Sequence, residues 1–146
     1  MQLRVFIYKP GEVVGKALTA YVESLGHEAA VINLPQTCLQ YHSTESSCSS
    51  AQVCADVIFL GPEVDPEKGL AMLQRRMAAG CPGARNNAII CRSLTDNERQ
   101  IAKSVECQCF EGPLDLPAVG QWLIEVQGVV DKERELSPYT IGGTAA

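Results

Sequence analysis

Five short runs rich in β-branched and aromatic residues alternate with segments whose apolar residues recur every three or four positions, and this alternation leaves the chain few ways to fold. The runs are 3–8, 27–33, 56–60, 87–91 and 107–110. Between the first two, Val13, Val14, Ala17, Leu18, Tyr21, Val22 and Leu25 keep helical spacing, and Gly26 stops the helix as a glycine just past a helix end does. From Gly69 to Ala79, Leu70, Leu73, Met77 and Ala78 share one face, and Gly80-Cys81-Pro82-Gly83 breaks the pattern. Thr95 followed by Glu98 has the form of a capping box. The last helix is predicted over 116–130, burying Val119, Trp122, Leu123, Val126 and Val130.

Strands that alternate with helices pair in parallel through right-handed crossovers. The expected product is an α/β, flavodoxin-like three-layer sandwich with a five-stranded parallel sheet in the order 2-1-3-4-5. Ligand crevices in such sheets lie at the carboxyl ends of strands one and three. Residues 8–12, 61–65, 92–95 and 111–114 are therefore where a site is sought. Residues 34–53 are polar, with five serines and little periodicity, and read as a long loop with at most a short helix. The domain is expected over 1–130, followed by a flexible tail over 131–146.

Composition narrows the function classes. A chain of 146 residues is long enough for one domain with a sizeable core. Net charge is −5, with no basic cluster beyond Arg75-Arg76, so nucleic-acid binding through phosphate neutralisation is not expected. No apolar run approaches the ~20 residues that span a bilayer, and the start of the sequence lacks a signal-peptide pattern. The expected location is the cytoplasm, with no membrane partner.

The order and spacing of elements over 3–130 resemble a response-regulator receiver (CheY-like) domain. Leu25-Gly26-His27 is similar to that family's exit from its first helix. Phe110-Glu111-Gly112-Pro113-Leu114-Asp115-Leu116 is similar to its lysine-proline-phenylalanine turn into the last helix, with Pro113 at a position where the family has a cis-proline. The resemblance implies phosphoryl chemistry that needs an acidic pair after strand one to hold Mg²⁺, an acceptor aspartate after strand three, a Ser/Thr after strand four and a lysine after strand five. Here the acidic pair falls on Lys9-Pro10, or on Tyr8-Lys9 one residue earlier. The acceptor position is Gly61 and the lysine position is Gly112. Only a hydroxyl remains, Ser93 or Thr95. Lys9 is a candidate for neutralising Glu12 or Glu63 without any ion, or else is a solvated turn lysine. Glu63 and Asp65, just past strand three, read as ordinary loop acids.

Gly11-Glu-Val-Val-Gly15-Lys16 has the flavour of a phosphate loop, but three residues separate its glycines where four are needed, and Ala17 follows the lysine in place of Ser/Thr. The seven cysteines are expected to be reduced and mostly buried. Cys38, His42, Cys48 and Cys54 have the ligand types of a Cys₃His metal set, although their spacing matches no common zinc pattern. Cys107 and Cys109 fall on one strand face with Cys91 on the neighbouring strand, a cluster that buried thiols explain as small hydrophobes.

No constellation names a reaction, so the chain is not expected to be an enzyme, and no cofactor is implied. The leading reading is a non-phosphorylatable pseudo-receiver that works as a protein-interaction module in a two-component signal-transduction system. Its partner would be a sensor kinase, a response regulator or a second copy of itself. The family resemblance places the contact on the face built from the helix at Thr95, the fifth strand and the last helix, with Arg99, Lys103, Glu106, Gln121 and Glu125 as candidate contacts. The alternative is a thiol-based redox or metal-responsive sensor on the same fold.

Overall fold

All five expected strands form one sheet in a computed structural model that describes residues 1–32, 53–78, 80 and 85–136, together with two short strands near the C-terminus. The strands are β1 (Arg4–Tyr8), β2 (Glu28–Ile32), β3 (Val57–Leu60), β4 (Asn87–Cys91) and β5 (Cys107–Glu111). Their order is β2-β1-β3-β4-β5, and every pairing in this sheet is parallel. Central β1 runs beside β2 with Val5 opposite Ala29, and beside β3 with Val5 opposite Val57. β6 (Thr140–Ile141) and β7 (Thr144–Ala145) make a separate antiparallel ladder. The expected 34–53 loop lies outside the described residues except for Val53.

Side chains alternate across the sheet with the two-residue strand period, and each face receives its own core. Phe6, Ile58, Leu60 and Ile89 meet Leu70 and Leu73 of α2 (Pro66–Ala78) and Ala102 of α3 (Asp96–Ser104). Val5, Ile7, Val57, Phe59 and Ile90 meet Leu18 and Val22 of α1 (Glu12–Ser24) and Val119, Leu123 and Val126 of α4 (Leu116–Val129). Strands buried on both sides explain why β3 is apolar without a break. This is the three-layer α/β sandwich the element order implied.

Several helix faces differ from expectation. The buried stripe of α1 is Gly15, Leu18 and Val22, whereas Val13 is 81% exposed. Two residues turn a helix by about 200°, so Val13 points away when Gly15 faces the sheet. Leu25 and Met77, both expected inside, are exposed. α2 starts at Pro66, whose missing N–H is tolerated in a first turn, rather than at Gly69. The capping box is present: Glu98 N donates to Thr95 Oγ1 at 3.1 Å, and Thr95 N donates to Glu98 Oε1 at 2.8 Å.

At the amino end of the sheet, Asp56 is buried with a side chain only 1% exposed. Its carboxylate accepts from Arg4 N at 2.8 Å and from Arg134 through both Nε and Nη2 at 2.6 Å. Arg134 Nη2 also donates to Gln2 O at 3.0 Å, and Val53 N donates to Glu135 O at 2.8 Å beside a parallel bridge between Val53 and Leu136. Residues 131–136, expected to open a flexible tail, are thus fastened to the body of the domain, because a buried carboxylate needs a counter-charge and Arg134 supplies a two-pronged one. Nearby, the buried imidazole of His27 accepts from Leu3 N through Nδ1 at 3.1 Å. Burial, and then the N-terminal ammonium, push its pKa down while Asp56 pulls the other way, consistent with a neutral ring acting as acceptor.

Removing Arg134 leaves the Asp56 charge buried and unpaired, a loss that typically costs about 3–5 kcal/mol. R134A should therefore lower the unfolding free energy measured by urea titration by roughly that amount, and a double D56N/R134M change should recover part of it. An unchanged midpoint for R134A would mean that residues 131–136 are not part of the folded unit.

Candidate functional site

The carboxyl end of the sheet carries the positions where the sequence directed the search. β1 ends at Tyr8, and Lys9 follows with φ 44°, a left-handed conformation that turns the chain over the strand ends. Lys9 N donates to Ile32 O at 2.9 Å, Gly61 N donates to Tyr8 O at 2.7 Å, and Glu63 N donates to Lys9 O at 3.1 Å. The turn after β1 and the turn after β3 are therefore stitched together through their backbones.

That stitching decides what position 61 can hold. A Cβ built there would press on Pro10 Cα and would lie 2.5 Å from the Lys9 carbonyl oxygen and 2.7 Å from Pro10 N, closer than real Cβ atoms come to their neighbours. Gly61 is buried, and the space over its α-carbon is filled by backbone, not by a movable side chain. Pro10 in turn rests on α1 at Gly15, where an added Cβ would lie 3.0 Å from Pro10 Cγ. The residues also do not suit Mg²⁺, which takes oxygen ligands: Lys9 brings a cation and Pro10 an apolar ring to the places of the acidic pair.

The remaining family positions are occupied just as differently. Thr95 is committed to capping α3, which leaves Ser93, exposed in the loop after β4, as the uncommitted hydroxyl. Gly112 has φ 91°, a conformation side chains other than glycine's rarely adopt, and its N–H is shared between Cys91 O and Arg92 O, each at 3.0 Å. The Gly112–Pro113 bond is trans. Beside Gly112, where the resemblance implies a lysine, stands a carboxylate. Glu111 accepts from Leu94 N at 2.9 Å and takes the Arg99 fork, Nη2 to Oε1 at 2.9 Å and Nε to Oε2 at 3.1 Å. The hydrogen bonds from Arg99 and from Leu94 N hold its pKa below the usual carboxylate range. Arg99 also reaches Asp96 at 3.0 Å. The sequence reading placed Arg99 on the contact face but missed Glu111; the Asp96–Arg99 spacing is visible along a helix, whereas the reach across to β5 is not.

The other candidate contacts lie on α3, just before β5 and on α4. Arg99, Lys103, Glu106, Gln121 and Glu125 are all exposed. Ile124, 61% exposed, lies four residues after Gly120, which faces Tyr21 of α1, so it is on the α1 side of α4. α4 is held in place from below by Trp122, whose ring stands edge-on to Phe59 at 5.5 Å and to Phe110 at 6.0 Å.

Two other motifs resolve differently. Gly11, Gly15 and Lys16 line a cleft of about 650 Å³ together with Glu12, Glu23 and Glu63, and Lys16 is paired with Glu12 at 3.2 Å. Three carboxylates repel a phosphate, and the two glycines are explained by the turn at Gly11 (φ 78°) and by the approach of Pro10 to Gly15. Among the thiols, burial first and then the Glu111 charge push Cys91 up to about 11. Burial pushes Cys107 up to about 12 and raises Cys109 as well. Such groups stay protonated at neutral pH, and the thiolate is the reactive form. Cys38, His42 and Cys48 lie outside the described residues. Cys54 is buried, and among the described residues no group of three or more metal-ligating side chains occurs.

Comparison with solved structures places the fold. A two-component response regulator from Clostridium difficile superposes with a TM-score of 0.64 at 14% identity, covering 88% of this chain and 98% of that one. The signal receiver domain of a modulated diguanylate cyclase from Desulfovibrio desulfuricans G20 gives 0.58 at 17% identity, covering 86% and 94%. The receiver domain of a sensor histidine kinase from Pseudomonas aeruginosa PAO1, with magnesium coordinated in its active-site cleft, gives 0.58 at 12% identity, covering 88% and 99%. The chain therefore has the receiver fold over most of its length. No protein-family model and no curated protein matches it by sequence. No helix among the described residues is long and apolar enough to cross a membrane.

The tight approach at Gly61 predicts that even a methyl group there is costly. G61A should lose about 1–3 kcal/mol of stability, as overpacked sites do, read by thermal or urea unfolding. A neutral result would mean that the Lys9–Pro10 backbone yields easily and that the slot is open to a side chain.

Proposed function

We propose that this chain is a pseudo-receiver, a signal-transduction module that docks partner proteins without being phosphorylated and without catalysing a reaction. The observation that carries this reading is the backbone of Lys9 and Pro10 lying over Gly61. The acceptor side chain is absent, and so is the room for one. With a glycine at 112 and no oxygen ligands at 9 and 10, neither charge stabilisation nor metal activation of a phosphoryl group is provided for.

What remains is a surface. The face of α3, β5 and α4 presents exposed charges of both signs, Arg99, Lys103 and Glu106 on or just after α3 and Glu125 on α4. Polar and charged surface of this kind is what the rim of a protein interface is made of. The Glu111 contacts with Leu94 N and Arg99 tie the loop before α3 to the end of β5, so this face is held in one arrangement without an added phosphoryl group. Docking is therefore constitutive in this reading, and the partner is a sensor kinase, a response regulator or a second copy of the chain. The domain acts in the cytoplasm, where such partners meet.

Photo-crosslinking residues placed at Lys103 and Gln121, with Lys132 as a control position, test the assignment in the native cell. Crosslinks from the first two positions to a kinase, a response regulator or the chain itself are expected, with none from Lys132. Crosslinks concentrated at Lys132, or equal yields at all three positions, would place the contact elsewhere.

A further inference from the structure

The amino end of the sheet carries a device that is independent of the docking reading. Residues 1–4 are each held by a side chain from a different part of the fold. Gln127 of α4 donates to Met1 O at 2.7 Å, and Arg134 donates to Gln2 O at 3.0 Å. Leu3 N donates to His27 Nδ1 at 3.1 Å, and Arg4 N donates to Asp56 at 2.8 Å. The first two bonds are exposed, and exposed hydrogen bonds contribute little net stability. The bond to His27 is buried, and so is the Leu3 side chain.

His27 stands between α1 and β2 and is 6% exposed. Glu28 N donates to Leu3 O at 2.9 Å, so Leu3 is gripped on its N–H by the imidazole and on its carbonyl by β2. The grip on the N–H depends on an unprotonated Nδ1. A protonated ring carries hydrogen on both nitrogens, which would set two donors against each other where neither can turn to water, and an unsatisfied buried donor is costly. Two charged groups act on the ring: the N-terminal ammonium, which opposes protonation, and Asp56, which favours it. The Asp56 carboxylate is already taken up by Arg134 and Arg4 N, and Glu28, next in the chain, is paired with Arg4 at 3.1 Å. Neither carboxylate is therefore free to receive a charged imidazole. Past Leu3 the ring is no longer needed, because β1 is paired with β2 from Arg4 and with β3 from Val5.

We propose that His27 is an acid-sensitive latch on the start of the chain: the neutral ring holds residues 1–3 against the domain, and protonation releases them and uncovers Leu3 while the sheet from Arg4 onward stays folded. The sign follows from burial, which favours the neutral ring. The latched state keeps its full stability above about pH 6.5, the value of a free histidine, and loses it as pH falls below that point. Each pH unit below it raises the population of the released state by up to about ten-fold.

NMR of the isotope-labelled full chain between pH 7.5 and pH 4.5 tests this, with the His27 ring and the backbone amides followed together. The ring is expected to titrate below about pH 6.5, and the Leu3 and Glu28 amides to move with it, whereas those of Val57–Leu60 stay in place. After correction for the intrinsic pH dependence of exchange, the Leu3 amide should exchange several-fold faster at pH 5.5 than at pH 7.5, up to about ten-fold. H27N offers an amide oxygen close to the place of Nδ1 without a titrating group, and should abolish the step at Leu3. H27F removes the acceptor and should leave residues 1–3 released across the whole range. His42, the second histidine, is still present in H27N, which separates its titration from that of His27. A ring that stays neutral down to pH 4.5 would overturn the proposal. So would a His27 titration that leaves Leu3 unmoved, or a Leu3 step that persists in H27N. Loss of the Val57–Leu60 signals together with Leu3 would also overturn it, making His27 a determinant of global stability and not a latch.

Discussion

The polypeptide backbone at Lys9 and Pro10 lies against the α-carbon of Gly61, and the carboxyl end of the sheet is organised around that approach. It is possible because residue 61 has no side chain, and it is fixed by the hydrogen bonds from Gly61 N to Tyr8 O and from Glu63 N to Lys9 O. Pro10 is thereby pressed onto α1, where Gly15 is the residue that lets it come close. One glycine thus joins two turns and a helix into a closed cap over strands β1 and β3. In a parallel sheet this is the place where the topology opens a crevice, and here backbone fills the part of it directly over residue 61.

Charge is distributed in keeping with this. Position 112, next to the cap, holds a glycine in a left-handed conformation, and the nearest charge is the Glu111 carboxylate, already satisfied by Arg99 and Leu94 N. A pre-satisfied carboxylate has no need of an incoming group, and it fixes the loop before α3 relative to β5. At the opposite end of the sheet the Asp56–Arg134 pair does comparable work, binding the segment after α4 to the start of β1. The domain is fastened at both ends by side chains distant in sequence, while its helices rest on two ordinary apolar cores.

How much of this was legible beforehand depends on the range of the interaction. Strand-helix alternation, the sheet order and the Thr95–Glu98 capping box could be read because each is written in neighbouring residues. Gly61 could be placed at the end of an apolar strand, where the resemblance implies an acceptor, but not the backbone that lies over it; that requires knowing where Lys9 goes. Asp56 and Arg134 are 78 residues apart, and nothing local in either marks a partner. Val13 and Leu25 looked buried by spacing alone, yet a helix that packs one narrow stripe leaves its flanking apolar residues in water. Glu111 escaped notice because a carboxylate at the end of an edge strand is unremarkable until Arg99 is seen beside it.

The central claim is that the cap leaves no phosphoryl pocket, and beryllofluoride with Mg²⁺, a phosphoryl mimic, addresses it most directly. Added to the isotope-labelled chain and followed by NMR, it should leave the resonances of residues 9–11, 61–65 and 92–95 unmoved at every concentration. Saturable, Mg²⁺-dependent shifts at those residues would contradict the account, because they would require the Lys9–Pro10 backbone to move away and a working pocket to lie beneath it.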